Sequence, residues 1–266
     1  MDHIDARASL KAGAIGALGS VPGTVCAHPL DVLKIRMQTT DKGTLLDAAR
    51  GVHREHGYRG FYKGLVPALE QRFLSRGPMF LVSEVSTQLV ARHLRFGELG
   101  SRACGSVMSG YVVGFLQALS EYRKKLLSQY VVDAVGARFG HLISDAARAG
   151  QLRTGLLRRM HAAAVCSSVF DGTFFCTRDA LSAHLNPPLA YGVAAATAVL
   201  VAYPADTAVA RMLIVPPNQP ISCMRHHIFL DARGFRGLPA RASEFFISYA
   251  VMGLIDMILN QHIVWI

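Results

Sequence analysis

Two segments of the chain place a proline, an acid and a base in the same order. Pro29 is followed by Asp31, Lys34, Arg36 and Gln38, and Pro204 by Asp206 and Arg211. A third segment, Glu121 with Lys124 and Lys125, keeps the acid and the base but not the proline. The three acids stand 90 and 85 residues apart. On a helix, an acid and a base three positions apart share one face. Proline lacks an N–H and clashes with the preceding turn, so Pro29 and Pro204 are expected to kink their helices. Three such helix ends brought together can close a ring of ion pairs, each acid meeting the base of a neighbour. The plainer alternative is that these charges mark a membrane–water boundary.

A second motif follows each of the first. Gly60-Phe61-Tyr62-Lys63-Gly64 is echoed by Leu152-Arg153-Thr154-Gly155 and by Gly234-Phe235-Arg236-Gly237. At a helix start, free backbone N–H groups and the positive dipole end bind phosphate; glycine permits close approach and the base adds charge. An ordinary turn with a solvated base is the alternative.

The elements that carry these motifs follow from composition. The 266 residues are 51 % apolar and only 17 % charged, against about 25 % charge in a typical soluble domain. Mean hydropathy is +0.28. Three stretches, 12–30, 103–120 and 189–205, contain no charge, and a membrane helix needs about 20 mostly apolar residues. Three weaker apolar stretches, roughly 65–91, 156–183 and 238–263, are interrupted by charge, including the acids Glu84, Asp171, Asp179 and Asp256. The reading is an all-α membrane protein of six transmembrane helices, alternately clean and interrupted. The intramembrane acids should face protein or a water-filled cavity. Glycines at 13, 16, 19, 23, 105, 110 and 114 crowd the clean spans, and small residues let helices approach closely in lipid.

Net charge is +10, but one Trp and an apolar chain argue for anionic lipid or solute rather than nucleic acid. Five Cys without a CxxC indicate neither a disulfide framework nor a zinc site. Catalytic signatures are absent, so no enzyme, metal or cofactor is expected. His226-His227 reads as a surface linker. The N-terminal residues lack the apolar core of a signal peptide.

The thrice-repeated unit resembles the mitochondrial carrier family. The first repeat, Pro29 to Gln38 followed by Gly60 to Gly64, carries the closest match, the third a good one, and the second is degraded. The resemblance implies three pseudo-symmetric two-helix repeats (1–100, 101–186 and 187–266) with short matrix-side linker helices, in the mitochondrial inner membrane. Members usually lack a cleaved presequence. In the family, the Pro/acid/base ring is the matrix gate. Family order implies pairs Asp31–Lys124 and Asp206–Lys34, with Gln38 as a brace. Glu121 would lose its partner, because Val209 occupies the base position on the fifth helix; Lys125 or Arg211 are candidate substitutes.

The gate on the other side is expected at Glu84, Asp179 and Asp256. Three residues on, where the family has bases, this chain has Thr87, Ser182 and Leu259. Three carboxylates converging without bases would repel one another, with Arg178 neutralising at most one. The expected balance is a state closed at the matrix side. Tyr62-Lys63-Gly64, Phe235-Arg236-Gly237 and, partly, Gly155 match the family's cardiolipin signature. Solute contacts are implied near Gln71 and Arg72, near Arg241 and Glu244, and around His161 to Cys166. Asp171 with His161 is either part of a proton-coupled site or satisfied within the bundle. Two functions stay open. One is a carrier of a small anionic or zwitterionic solute working by alternating access. The other is a non-transporting subunit of a large inner-membrane complex, respiratory or ATP synthase.

Overall fold

In a computed structural model, residues 6–39, 44–94, 97–128, 139–213 and 238–262 are described. They form eight α-helices: α1 (Ala6–Thr39), α2 (Leu45–His56), α3 (Leu65–Leu94), α4 (Glu98–Ser128), α5 (Phe139–Arg148), α6 (Arg158–Ser182), α7 (Pro187–Leu213) and α8 (Leu238–His262). There is no strand among the described residues. Six helices have 25 to 34 residues, at or above the length needed to span a bilayer. Of these, α1, α4 and α7 are also apolar enough throughout; they contain the three uncharged stretches. The other three, α3, α6 and α8, carry more charge, and much of it is buried against protein: Arg72, Arg76, Arg159, Asp171 and Glu244 are all nearly solvent-free.

The six long helices pack as a closed ring. Each touches its neighbours in the order α1, α3, α4, α6, α7, α8, and α8 returns to α1. Large apolar side chains such as Leu18, Leu116, Leu200 and Val201 lie exposed on the outside, Leu116 at 72 %. A patch of that character is what a lipid-facing surface requires. Inside, Met79, Phe80, Phe174, Phe175, Tyr191, Phe245 and Tyr249 form one buried cluster, with ring centroids such as Phe80–Phe175 at 5.2 Å and Phe174–Tyr249 at 4.7 Å.

Helix α1 runs unbroken through Pro22 and Pro29, and α7 through Pro204. The short helix α2 packs on α1 and on the 3-10 turn Tyr58–Tyr62. Thr44 caps it: its Oγ1 accepts from the Asp47 N–H at 3.3 Å, and Asp47 Oδ2 accepts from the Thr44 N–H at 2.9 Å. Arg36 at the foot of α1 grips Glu55 of α2 with both guanidinium ends, one at 2.9 Å. Those hydrogen bonds hold the Glu55 carboxyl below its ordinary range. The Thr44 backbone and hydroxyl do the same for Asp47. Both carboxyls have depressed values, so their contribution is complete above the ordinary carboxylate range and is lost as pH falls through the depressed values.

Close helix approach depends on particular glycines. A Cβ at Gly110 of α4 would lie 2.6 Å from the Ser167 carbonyl oxygen of α6. By contrast a Cβ at Gly97, the residue preceding α4, would meet nothing. Gly110→Val should therefore force α4 and α6 apart and cost about 1–3 kcal/mol, read as a clear fall in Tm in detergent. Gly97→Ala should leave Tm within error. Helix α2 supplies a second prediction. Hydrogen-exchange protection of 45–56, corrected for intrinsic rates, should hold from neutral pH down to about 4 and fall below that, and Arg36→Ala should lower it already at neutral pH.

Candidate functional site

A cavity lies on the axis of the ring. Its lining includes Asp31 and Lys34 from α1, Gln71, Arg72, Ser75 and Arg76 from α3, Gln117 and Glu121 from α4, Cys166 and Asp171 from α6, Asp206 from α7 and Arg241 from α8. Every long helix contributes at least one polar side chain, which is why the cavity can be charged while the outside is apolar.

At the end near α2 the cavity is crossed by a buried ionic layer. Lys34, 1 % exposed, places Nζ 3.0 Å from Asp206 Oδ2. Arg241 lies 3.1 Å from Asp206, 3.8 Å from Asp31 and 2.8 Å from Glu244. Arg72 reaches across from α3 to Glu244 at 2.6 Å. Three cations and three carboxylates from α1, α3, α7 and α8 thus form one network. Arg241 and Glu244, considered from the sequence as solute contacts or as a local pair, do pair with each other, but Arg241 also ties α8 to α7 and α1. Gln71 lines the cavity beside them. Val209 is buried in an apolar cluster with Tyr122, Leu142 and Met212, while Glu121 lines the cavity. The side chains of Gln38, Lys124 and Lys125 lie outside the described residues, and so do Phe235, Arg236, Gly237 and His226-His227.

At the opposite end the structure corrects one expectation. Glu84 and Asp179 do not face one another without a base. Arg102, in the first turns of α4, lies 3.0 Å from Glu84 and 2.7 Å from Asp179. Arg178 adds a second cation 2.5 Å from Asp179 and lies over the Phe175 and Tyr191 rings. Tyr191 donates its hydroxyl to Asp256 at 3.2 Å. The base comes from a third helix rather than from three residues after each acid. Its only sequence signal is that Arg102 immediately precedes an uncharged span. Glu84, Arg178, Asp179 and Asp256 line a separate vestibule. Phe80 and Tyr191 line the vestibule, Met79 and Phe245 line the central cavity, and all four belong to the aromatic cluster. Ionic contacts therefore form at both ends of the cavity.

Asp171 and His161 do not share a site. Ten positions apart on one helix, they point about 80° away from each other. Asp171 is buried at the cavity, whereas His161 is exposed and its Nδ1 lies 2.6 Å from the Tyr111 hydroxyl.

The aromatic–basic–glycine motif of the first repeat stands at the start of α3. Gly64 has φ +78°, a conformation that favours glycine. Its carbonyl accepts the first helical hydrogen bond, from Ala68 N–H at 3.0 Å. Tyr62 and Lys63 sit just before the free N–H groups of that helix, and His28 Nε2 meets the Lys63 carbonyl at 3.1 Å. Gly155 differs. It is buried in a π-helical turn (Leu152–Leu157), and its N–H donates to Gln151 O at 2.8 Å, so that N–H is not offered to a phosphate.

Six membrane-length helices thus close around a charged cavity with an ionic layer at each end. Residues 6–94 match the family model for mitochondrial carrier protein. Relatives include mitochondrial ornithine transporter 1 of Rattus norvegicus, 29 % identical over 50 % of this chain and 46 % of that protein. Mitochondrial citrate transporter B of Aspergillus niger is 36 % identical over 31 % of this chain and 28 % of its own length. The mitochondrial carnitine carrier of Saccharomyces cerevisiae is 22 % identical over 87 % of this chain and 80 % of its own. The matches to the rat and Aspergillus proteins thus span less than half of those relatives' length. Residues 6–94 are thus similar to mitochondrial carrier proteins, and the weaker likeness to the yeast carrier runs over most of the chain.

Removing Arg102 should leave Glu84 and Asp179 facing each other without their shared cation. Arg102→Leu should destabilise the protein by about 2 kcal/mol. Adding Glu84→Gln and Asp179→Asn in the same chain should recover most of the loss, because the carboxylates are then neutral. Equal loss in the single and triple variants, read by Tm, would show that Arg102 contributes only packing.

Proposed function

We propose that the protein is a solute carrier of the mitochondrial inner membrane that exposes its central cavity alternately to the two sides. The observation that supports this best is the pair of ionic layers bracketing one cavity. Each is built between different helices and can break without unfolding any of them. A carrier needs such a layer at each end, so that the cavity can be closed on either side. The Glu84–Arg102–Asp179 bridge supplies the second layer, which favours a carrier over a non-transporting subunit of a larger complex. Relatives named as ornithine, citrate and carnitine carriers support transport of a small metabolite, without selecting one.

The relatives' names support a mitochondrial location and the exposed apolar side chains support a membrane; the inner membrane is what the family resemblance implies. We read the α3 start at Tyr62-Lys63-Gly64 as a cardiolipin site, since helix N–H groups, a dipole end and a base converge there. Phe235-Arg236-Gly237 is the corresponding candidate in the third repeat. No part of Gly155 enters this reading.

Purified protein in cardiolipin-containing proteoliposomes should exchange internal for external radiolabelled solute from a panel of amino acids, carboxylates and nucleotides, with saturation. Lys34→Ala leaves Asp206 short of a buried cation and should lower the rate at least tenfold, about 1.4 kcal/mol of barrier or more. Failure to exchange any member of a broad panel would favour the structural-subunit reading. Added cardiolipin should raise Tm, and Lys63→Glu should reduce that rise; an unchanged response would remove the lipid site.

A further inference from the structure

Between the two ionic layers a cation and a carboxylate face the cavity, neither of them in an ion pair among the described residues. Arg76 of α3 and Asp171 of α6 both line it, and both are buried, at 7 % and 3 % exposure. Their depth is the same. Arg76 lies eight residues before Glu84 on α3, and Asp171 eight residues before Asp179 on α6. On each helix that is about 12 Å inward of the layer held by Arg102. Neither belongs to an ion pair among the described residues, while Arg72 and Arg241 are each matched to a carboxylate.

Arg76 is held ready rather than neutralised. Its guanidinium donates to the Tyr249 hydroxyl and to Met79 Sδ at 3.2 Å. It also lies over three rings, 4.6 Å from the centroid of Tyr249, 5.7 Å from Phe245 and 6.0 Å from Phe170. Tyrosine, thioether and aromatic faces fix the position of the cation but do not cancel its charge. Burying a charge without an opposite partner is costly, and the cost falls when a ligand brings both missing charges at once.

We propose that Arg76 and Asp171 are the two poles of a subsite for a small zwitterion, an α-amino acid or a betaine-like solute. The solute carboxylate is bound by Arg76 and its ammonium by Asp171. This deepens the carrier reading, and rests on it only for the cavity being the solute site. A molecule with one charge would leave the other pole unmatched, so selectivity for zwitterions follows from electrostatics rather than shape.

The test is ligand-induced stabilisation of the full chain in detergent. Three probes are compared at equal millimolar concentration: L-alanine, propionate, which lacks the ammonium, and ethylamine, which lacks the carboxylate. L-Alanine, or glycine betaine if the ammonium must be fully substituted, should raise Tm by about 2–4 °C. Propionate and ethylamine should give little or none. Asp171→Asn and Arg76→Gln should each abolish the alanine shift; Asp171→Glu and Arg76→Lys, which keep the charges, should retain part of it and serve where the neutral variants fold poorly. An equal shift with propionate, a shift that survives in Asp171→Asn, or no shift with either zwitterion would overturn the subsite. Failure of the carrier reading is separate: zwitterion-specific stabilisation with no exchange in proteoliposomes would remove transport and leave the subsite standing.

Discussion

The buried contact of Lys34 and Arg241 with Asp206 is the interaction on which the rest depends. Both cations are buried among the helices, and removing one partner of such a buried set costs about 3–5 kcal/mol. The three residues come from α1, α8 and α7, so the contact also closes the ring where the first and last long helices meet. Glu244 and Arg72 extend it to α3. The network is strong because it is shared: Arg241 serves three carboxylates, and its side chain is further held at 4.1 Å from the Phe245 ring centroid. Its six members sit on four helices. It can therefore open by rigid-body movement of those helices, which is the kind of bistable contact a conformational switch requires.

The opposite layer is less buried. Arg102, Glu84 and Asp179 have side chains 21 to 31 % exposed, and the vestibule beside them reaches Lys11 and Ser182. Water there weakens each ion pair relative to the inner layer. The aromatic cluster of Phe80, Phe174, Phe175 and Tyr191 adds an apolar contact between the vestibule and the central cavity. The two ends are thus closed by different means, mainly buried charge at one and an exposed ionic bridge over aromatic packing at the other.

Much of this was legible from residues alone because it rests on local rules. The uncharged runs at 12–30, 103–120 and 189–205 became α1, α4 and α7, and charge-interrupted runs became α3, α6 and α8. The spacing of Asp31, Glu121 and Asp206 marked the repeat. What was not legible was pairing across helices. Arg102 lies in a different span from both of its acids, so no motif spacing could join them. Arg76 sits one turn beyond Arg72 in a run already broken by charge, and only packing against Phe170, Phe245 and Tyr249 distinguishes it from a solvated base. Asp171 and His161 share a helix, but angular position separates them. Gly155 repeats the glycine of Gly64 in sequence, yet a π turn, not an open helix start, consumes its N–H.

The central claim is that one cavity opens in turn to each side of the membrane. The most direct measurement is the accessibility of Ser75→Cys, a buried cavity position, in protein whose five native cysteines are replaced by serine. A membrane-impermeant maleimide is added to oriented proteoliposomes from one side or the other. Labelling from both sides, with the side preference shifted toward the α2 end by Lys34→Ala and toward the other end by Arg102→Leu, is the result the account predicts. Labelling confined to one side in all three proteins would contradict it.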